Sequence, residues 1–369
     1  MSLFLGTSSG LFLRPVGRQC GLIGLDGSLV THLAAAGDRV AAAVPVHGPV
    51  HKMYTDSHTP SEDAAWASGL HVLRPAGPLS DDPTYTSEQV WQGDARSCCA
   101  WAGGHGLAVG TEPADVFVSL DGGRSWSAGA AGFAAAPSRS KWSFPAPPHK
   151  PHVLSIEHLA AQSSGSEADS RAGQLVAGIE VGGVLVSSLG GHAGTAGGDG
   201  DGAEAWEEQS EGLYTDVHSC RINPFNPSQW LAVTGRGLYV TTDAGKHWAA
   251  QGSWAGRYTV GLAFNPEREG EVLVAAGDRP PANGAHVYHS TDGGRSFRDI
   301  TPSGDCGQAL GSRTPVPYFF AGQALLGTGT GSLLGASDDA RREWHVVDRL
   351  LHPICCMVAP GQSPSSVMH

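Results

Sequence analysis

Charge is scarce in this chain. Asp, Glu, Lys and Arg make up 16% of its 369 residues, too few to clothe many long solvated helices. Helix-period runs are few, and no apolar stretch approaches the length of a bilayer span. The opening MSLFLGTSSGLFL is interrupted by Gly, Thr and Ser and has no basic region before it, so strands are expected there rather than a secretion signal. Lys and Arg number 23 against 35 Asp and Glu, a formal charge of -12, which disfavours nucleic acid and anionic membrane surfaces as partners. Asn226 precedes Pro227, and no Asn-x-Ser/Thr acceptor is left for glycosylation. The seven cysteines are an odd count, and the adjacent pairs Cys98-Cys99 and Cys355-Cys356 would face opposite sides of a strand, which argues against a disulfide framework. A reducing, cytoplasmic location and a monomer are the expectation.

Gly and Pro are plentiful, at 52 and 24 residues, which suits many short strands joined by many turns. The octamer SLDGGRSW at 119 to 126 returns as TTDAGKHW at 241 to 248 and STDGGRSF at 290 to 297. A worn copy keeps Ser337, Asp339 and Trp344, and another begins at Ser187 and resumes at Trp206 across a Gly-rich insert, about residues 190 to 205, expected to be a flexible loop. Each copy follows a pair of apolar runs with a Gly-containing turn between them, such as LVAGIEVGGVLVS and WLAVTGRGLYVT, the pattern of a hairpin. A further strand lies upstream in HVLSIEHLA, SCRINPF and VGLAFNP. Copies recur about every 50 residues, the period of four-stranded propeller blades. Counting units predicts one all-β domain over 1–369, a seven-bladed β-propeller. HPICCMVAP near the C-terminus would supply the first strand of the N-terminal blade and close the ring.

The octamers resemble the Asp-box, or BNR repeat, of sialidases, sortilin-type receptors, oligoxyloglucan-active glycosidases and photosystem II assembly propellers. That resemblance implies a box between the third and fourth strands of a blade, on the face away from any active site. Asp121, Asp243, Asp292 and Asp339 are accordingly expected to brace turns, with Gly supplying positive φ and the aromatic packing over the hairpin base. Over roughly 140 to 300, KWSFPAPPHKPHV, YTDVHSCRINPFNP and GRGLYVTTDAGKHW are similar to bacterial-type BNR propellers that carry a glycosyl hydrolase label by repeat content. This likeness implies fold and layout rather than a reaction. The F/Y-R-I-P segment of sialidases proper is missing.

If the boxes mark one end, the other is built by the turns between second and third strands and by the connections leading into each blade. The turns offer His47, His51, Glu112, Glu180, Arg236, Asp278 and Arg279; the connections offer Trp142, His149, His152, Asp216, His218, Arg257, Tyr258 and Arg313. A central funnel is the usual ligand site on this architecture, and prolines would hold Trp142 and two imidazoles in a stiff wall. The leading expectation is a binding or scaffold propeller recognising a peptide or a glycan. Tryptophans outside the boxes would serve as anchors or sugar-stacking faces, and an arginine patch would attract an acidic peptide. The alternative is a glycoside hydrolase using Glu180 and Asp216; sialidase chemistry would instead need three convergent arginines for a carboxylate sugar, a place Arg236, Arg257 and Arg279 could fill but without the accompanying motif. No cofactor is required; a divalent metal on His149, His152 and His218 is a further option.

Overall fold

In the computed structural model of the chain the described residues are 2–46, 68–77, 83–101, 105–128, 130–145, 147–160, 173–189, 206–254, 256–280, 283–337 and 343–361. They form seven four-stranded antiparallel sheets, the predicted propeller. From the inner strand outwards, blade 1 is Ile354–Val358, Ser2–Thr7, Gly10–Pro15 and Gly21–Gly24, and blade 2 is His32–Ala36, Arg39–Val44, Gly69–Pro75 and Tyr85–Gln92. Blade 3 is Ala95–Trp101, Gly106–Thr111, Val116–Ser119 and Ser127–Ala128, and blade 4 is His152–Ala160, Gly173–Glu180, Gly183–Ser188 and Trp206–Glu208. Blade 5 is Val217–Asn223, Asn226–Thr234, Gly237–Thr241 and Ala249–Ala250, and blade 6 is Tyr258–Phe264, Val272–Gly277, His286–Ser290 and Arg298–Asp299. Blade 7 is Val316–Phe320, Gln323–Gly327, Ser332–Ala336 and Trp344–Arg349.

Closure runs as the sequence predicts. Phe4, Leu5 and Gly6 pair with Val358, Met357 and Cys356, so the last strand completes the first blade. The seven inner strands pack against one another in ring order.

The core is not central. It lies in seven apolar layers, one between each pair of neighbouring blades. Side chains alternate across a strand, so Trp230 and Ala232 face blade 4 while Leu231 and Val233 face blade 6. A strand buried on both faces reads as a continuous apolar run, which is why WLAV and LVAG carry no polar alternation. Cys98 and Cys99 behave likewise, one in the layer towards blade 2 and the other towards blade 4. All seven thiols are free. Two short helices, Ala130–Ala135 and Gly304–Leu310, sit in connections between blades. No helix among the described residues is long and apolar enough to cross a membrane.

The repeated octamers brace the hairpins between third and outer strands. Asp121 Oδ1 accepts the Arg124 and Ser125 amides at 2.9 Å each, and Oδ2 accepts the Ser125 hydroxyl at 2.6 Å. Asp292 repeats this with Arg295 and Ser296 at 3.0, 2.9 and 2.6 Å. At Asp243 the His247 amide and ring Nδ1 take over, at 3.0 and 2.7 Å. Gly123, Gly245 and Gly294 hold φ of 93°, 91° and 87° in these turns, values that suit glycine. The aromatic does more than cover its own hairpin. Trp126 Nε1 donates to Val90 O at 2.9 Å and Trp248 Nε1 to Gln209 O at 2.9 Å, so each staples its blade to the preceding one. Asp339 and the 190 to 205 insert lie outside the described residues.

Candidate functional site

The end opposite the octamers is built by the heads of the inner strands and the ends of the second strands. In blades 3, 4 and 5 these heads share one geometry. The ladder shifts register between Ala95 and Ser97, Val153 and Ser155, and Val217 and Ser219, leaving Arg96, Leu154 and His218 as bulge residues. A bulge re-aims its side chain. Pairing then places Asp94, His152 and Asp216 at equivalent positions one step before the bulged stretch. Opposite them at the ends of the second strands stand Glu112, Glu180 and Gly235.

These residues form a charged chain across three blades. Arg96 Nη2 donates to Asp94 Oδ2 at 2.8 Å and lies 3.1 Å from Glu112 Oε2. Glu112 Oε2 is 3.3 Å from His152 Nδ1, and His152 Nε2 contacts Glu180 Oε2. Arg96 and His152 are buried, with side chains 3% and 1% exposed. Burial pushes the His152 pKa down, but its bonds to the Glu112 and Glu180 carboxylates prevail and raise it to about 9. With a carboxylate at each nitrogen the ring is an imidazolium. Glu112 is held low despite burial by His152 and Arg96. Asp94 is raised by burial against the pull of Arg96.

At the junction of blades 4 and 5 the charge pattern changes. Glu180, Asp216 and His218 bring their ligating atoms within 4.8 Å of one another. His218 Nδ1 donates to Thr259 O at 2.6 Å, which directs Nε2 at Asp216 Oδ1, 3.6 Å away. That distance is too long for a hydrogen bond, and Nε2 is buried without one. Burial raises the Asp216 pKa; His218 opposes this and Glu180 adds to it. Tyr258 packs on His218 with ring centroids 4.6 Å apart.

Further round the rim, exposed charge takes over. Arg257 pairs with Asp278, which also accepts from His286 Nε2 at 3.0 Å. Arg236 is exposed, its guanidinium 4.5 Å from the Tyr214 ring centroid. Arg279 is exposed and bridges Asn283 through its backbone.

The structure brings together Glu112, His152, Glu180, Asp216, His218 and Tyr258. His47 and His51 lie outside the described residues. Trp142 departs from expectation: it is buried among Phe133, Ile179 and Trp206, with Nε1 donating to Ser138 Oγ at 2.8 Å. An indole seeks burial plus one acceptor, and the blade 3 to 4 layer supplies both. His149 is exposed and turned back, its Nδ1 donating to Phe144 O at 2.9 Å. The metal set expected from three imidazoles is not what assembles. His152 is occupied by two carboxylates, and the triad within reach of one ion is Glu180, Asp216 and His218.

Two members escaped the sequence reading, Asp94 and Arg96. DARSC at 94 to 98 parallels DVHSC at 216 to 220, and that internal match was the signal available.

No family model matches the chain and no curated protein matches its sequence. Its fold is widely represented among solved structures. A GH74 xyloglucanase from Xanthomonas campestris is 15% identical with a TM-score of 0.62, over 94% of this chain and 52% of that one. YCF48 from Cyanidioschyzon merolae is 15% identical with a TM-score of 0.51, over 90% of this chain and 87% of that one. An ancestral GH74 enzyme is 14% identical with a TM-score of 0.51, over 88% of this chain and 39% of that one. The chain spans about half the length of the xyloglucanase. What is shared at these identities is the seven-bladed propeller.

Proposed function

We propose that this chain is a binding propeller that captures an acidic peptide at the rim formed by the heads of blades 5 and 6. One observation carries this reading: Arg236, Arg257 and Arg279 lie on the same end of two adjacent blades, Arg257 paired with Asp278 and the other two exposed, in a molecule of formal charge -12. A local cationic patch against an acidic background steers anionic partners to one place. A glycan guest is less well supported. Of the nine described tryptophans, Trp101, Trp142, Trp206, Trp230, Trp248 and Trp254 are buried and Trp91, Trp126 and Trp344 are half-buried. None of the nine is exposed.

A second reading, glycoside hydrolysis, has a specific observation in its favour. The Glu180 and Asp216 oxygens lie within 4.8 Å, near the separation of about 5 Å used by retaining enzymes. Against it, Glu180 is buried and locked to His152, leaving little freedom to attack a sugar.

The bracing hairpins are read as BNR-type Asp-boxes, on the strength of matching carboxylate geometry at Asp121 and Asp292. Seven free thiols support a reducing, cytoplasmic setting, and a monomer is the simplest assembly.

The test is a peptide array and a glycan array probed with the wild type and with Arg236→Glu/Arg257→Glu/Arg279→Glu. Capture of Asp- and Glu-rich peptides, weakened at least about tenfold by the triple variant, is expected from loss of charge-assisted contacts. Glycan hydrolysis abolished by Glu180→Gln would overturn the reading in favour of the enzyme.

A further inference from the structure

The equivalent positions at the heads of blades 3, 4 and 5 can be compared junction by junction. Where blade 3 meets blade 4, the second-strand carboxylate Glu112 faces a cation, His152, 3.3 Å away. Where blade 4 meets blade 5, the equivalent carboxylate Glu180 faces another carboxylate, Asp216. His218 Nδ1 donates to Thr259 O at 2.6 Å, so Nε2 is the nitrogen turned towards Asp216.

Nε2 belongs to a side chain only 6% exposed and has no hydrogen-bond partner. A buried nitrogen without a partner is costly. His152 contacts Glu180 through Oε2. The place left open is surrounded by two anionic oxygens and one imidazole nitrogen.

Space has been kept for it. The position that carries Glu112 in blade 3 and Glu180 in blade 4 is Gly235 in blade 5. A Cβ there would lie 2.2 Å from Asp216 Oδ2. The absence of a side chain is what lets the Asp216 carboxylate sit where it does.

We infer that Glu180, Asp216 and His218 bind a divalent first-row transition ion, zinc fitting best. Two carboxylates and one imidazole are a donor set suited to that class. A carbonyl that fixes the far nitrogen of a ligating histidine is the usual outer support, and Thr259 O supplies it. His152 supports Glu180 in the same way. Tetrahedral bonds of about 2.1 Å hold donors roughly 3.4 Å apart, so with Glu180 held by His152 and His218 by Thr259 O, donors now within 4.8 Å close around the ion by rotation of the Asp216 side chain. Asp216, 21% exposed, opens the route from the rim. The inference is independent of the peptide reading, since metal binding and peptide capture are measured separately.

The experiment is calorimetric titration of the full chain with Zn²⁺ after chelator treatment, repeated with Co²⁺ under the visible spectrum. One equivalent is expected, with a Co²⁺ spectrum free of thiolate charge-transfer bands. Asp216→Asn, His218→Ala and Gly235→Ala should each weaken affinity at least about tenfold, in line with loss of a ligand or its support. Gly235→Ala is the decisive variant because it removes no ligand and crowds the Asp216 carboxylate, with the Tyr258 ring next at ordinary contact distance, 3.4 Å. Circular dichroism confirms that each variant remains folded. Absence of a saturable site, affinity unchanged in the folded variants, or a thiolate band that survives in them would overturn the inference.

Discussion

Asp94, His152 and Asp216 occupy one position in three successive blades, and the choice of residue at that position sets the charge of each junction. His152 is the pivot. It is buried between Glu112 and Glu180, and removing it leaves buried carboxylates without their shared cation. His152→Leu should destabilise the fold by about 3 to 5 kcal/mol, the range for breaking a buried pair from one side. Urea unfolding of the variant reads this directly, and a loss below about 1 kcal/mol would mean that the network is solvated rather than sealed. At this scale the sequence was informative where chemistry-bearing residues stood in turns. Glu180, Asp216 and His218 were identifiable because strand ends frame them. Arg96 was not, because it lies inside a strand and only a bulge turns it to the rim. His152 and His149 look interchangeable in HKPH, yet one is sealed as an imidazolium and the other points its ring back at Phe144 O. That difference comes from Glu112 and Glu180, which lie far away in sequence.

At the scale of the element, the bracing hairpins have a pH signature. Hydrogen bonds led by the Ser125 hydroxyl pull Asp121 well below the usual carboxylate range. At Asp292, burial opposes but the Ser296 hydroxyl and amide bonds prevail and bring it to about 2. A depressed carboxylate contributes stability that is present above its unfolded pKa near 3.8 and is lost as pH falls towards the folded value. Thermal unfolding between pH 5 and about 2 should therefore show a falling Tm, and Asp121→Asn/Asp292→Asn should lower the Tm at pH 5 and flatten that slope. An unchanged slope would remove the hairpins from the acid response. Both carboxylates are largely solvent-facing, so the effect is modest. Trp126→Phe, which deletes the bond to Val90 O, should cost about 1 kcal/mol, measurable by the same method. The turn-bracing role was legible from Asp, Gly and aromatic spacing. The stapling of each blade to the one before it was not, since Val90 lies 36 residues from Trp126.

For the whole molecule, blade number and closure were legible because every sheet but blade 2 announces itself by a Gly turn between apolar runs. What hid from a linear reading was the depth of Trp142, which depends on a helix at Ala130–Ala135 and on how two blades meet. Closure by Ile354–Val358 is the one long-range pairing on which ring integrity rests. A chain ending at residue 353 would bare the Ser2–Thr7 edge and one side of Leu3, Phe4 and Leu5, all buried in the intact ring. Exposed strand edges invite association, so this truncation should aggregate or unfold without cooperativity in calorimetry. A sharp, monomeric transition would show that the ring holds without its closing strand.

The central claim is that the guest-binding end is the one remote from the bracing hairpins. Hydrogen exchange with an array-selected acidic peptide bound tests it most directly. The account predicts added protection at 234–237, 256–259 and 277–286. Protection confined to 119–126, 241–248 and 290–297, with the opposite rim unchanged, would contradict it.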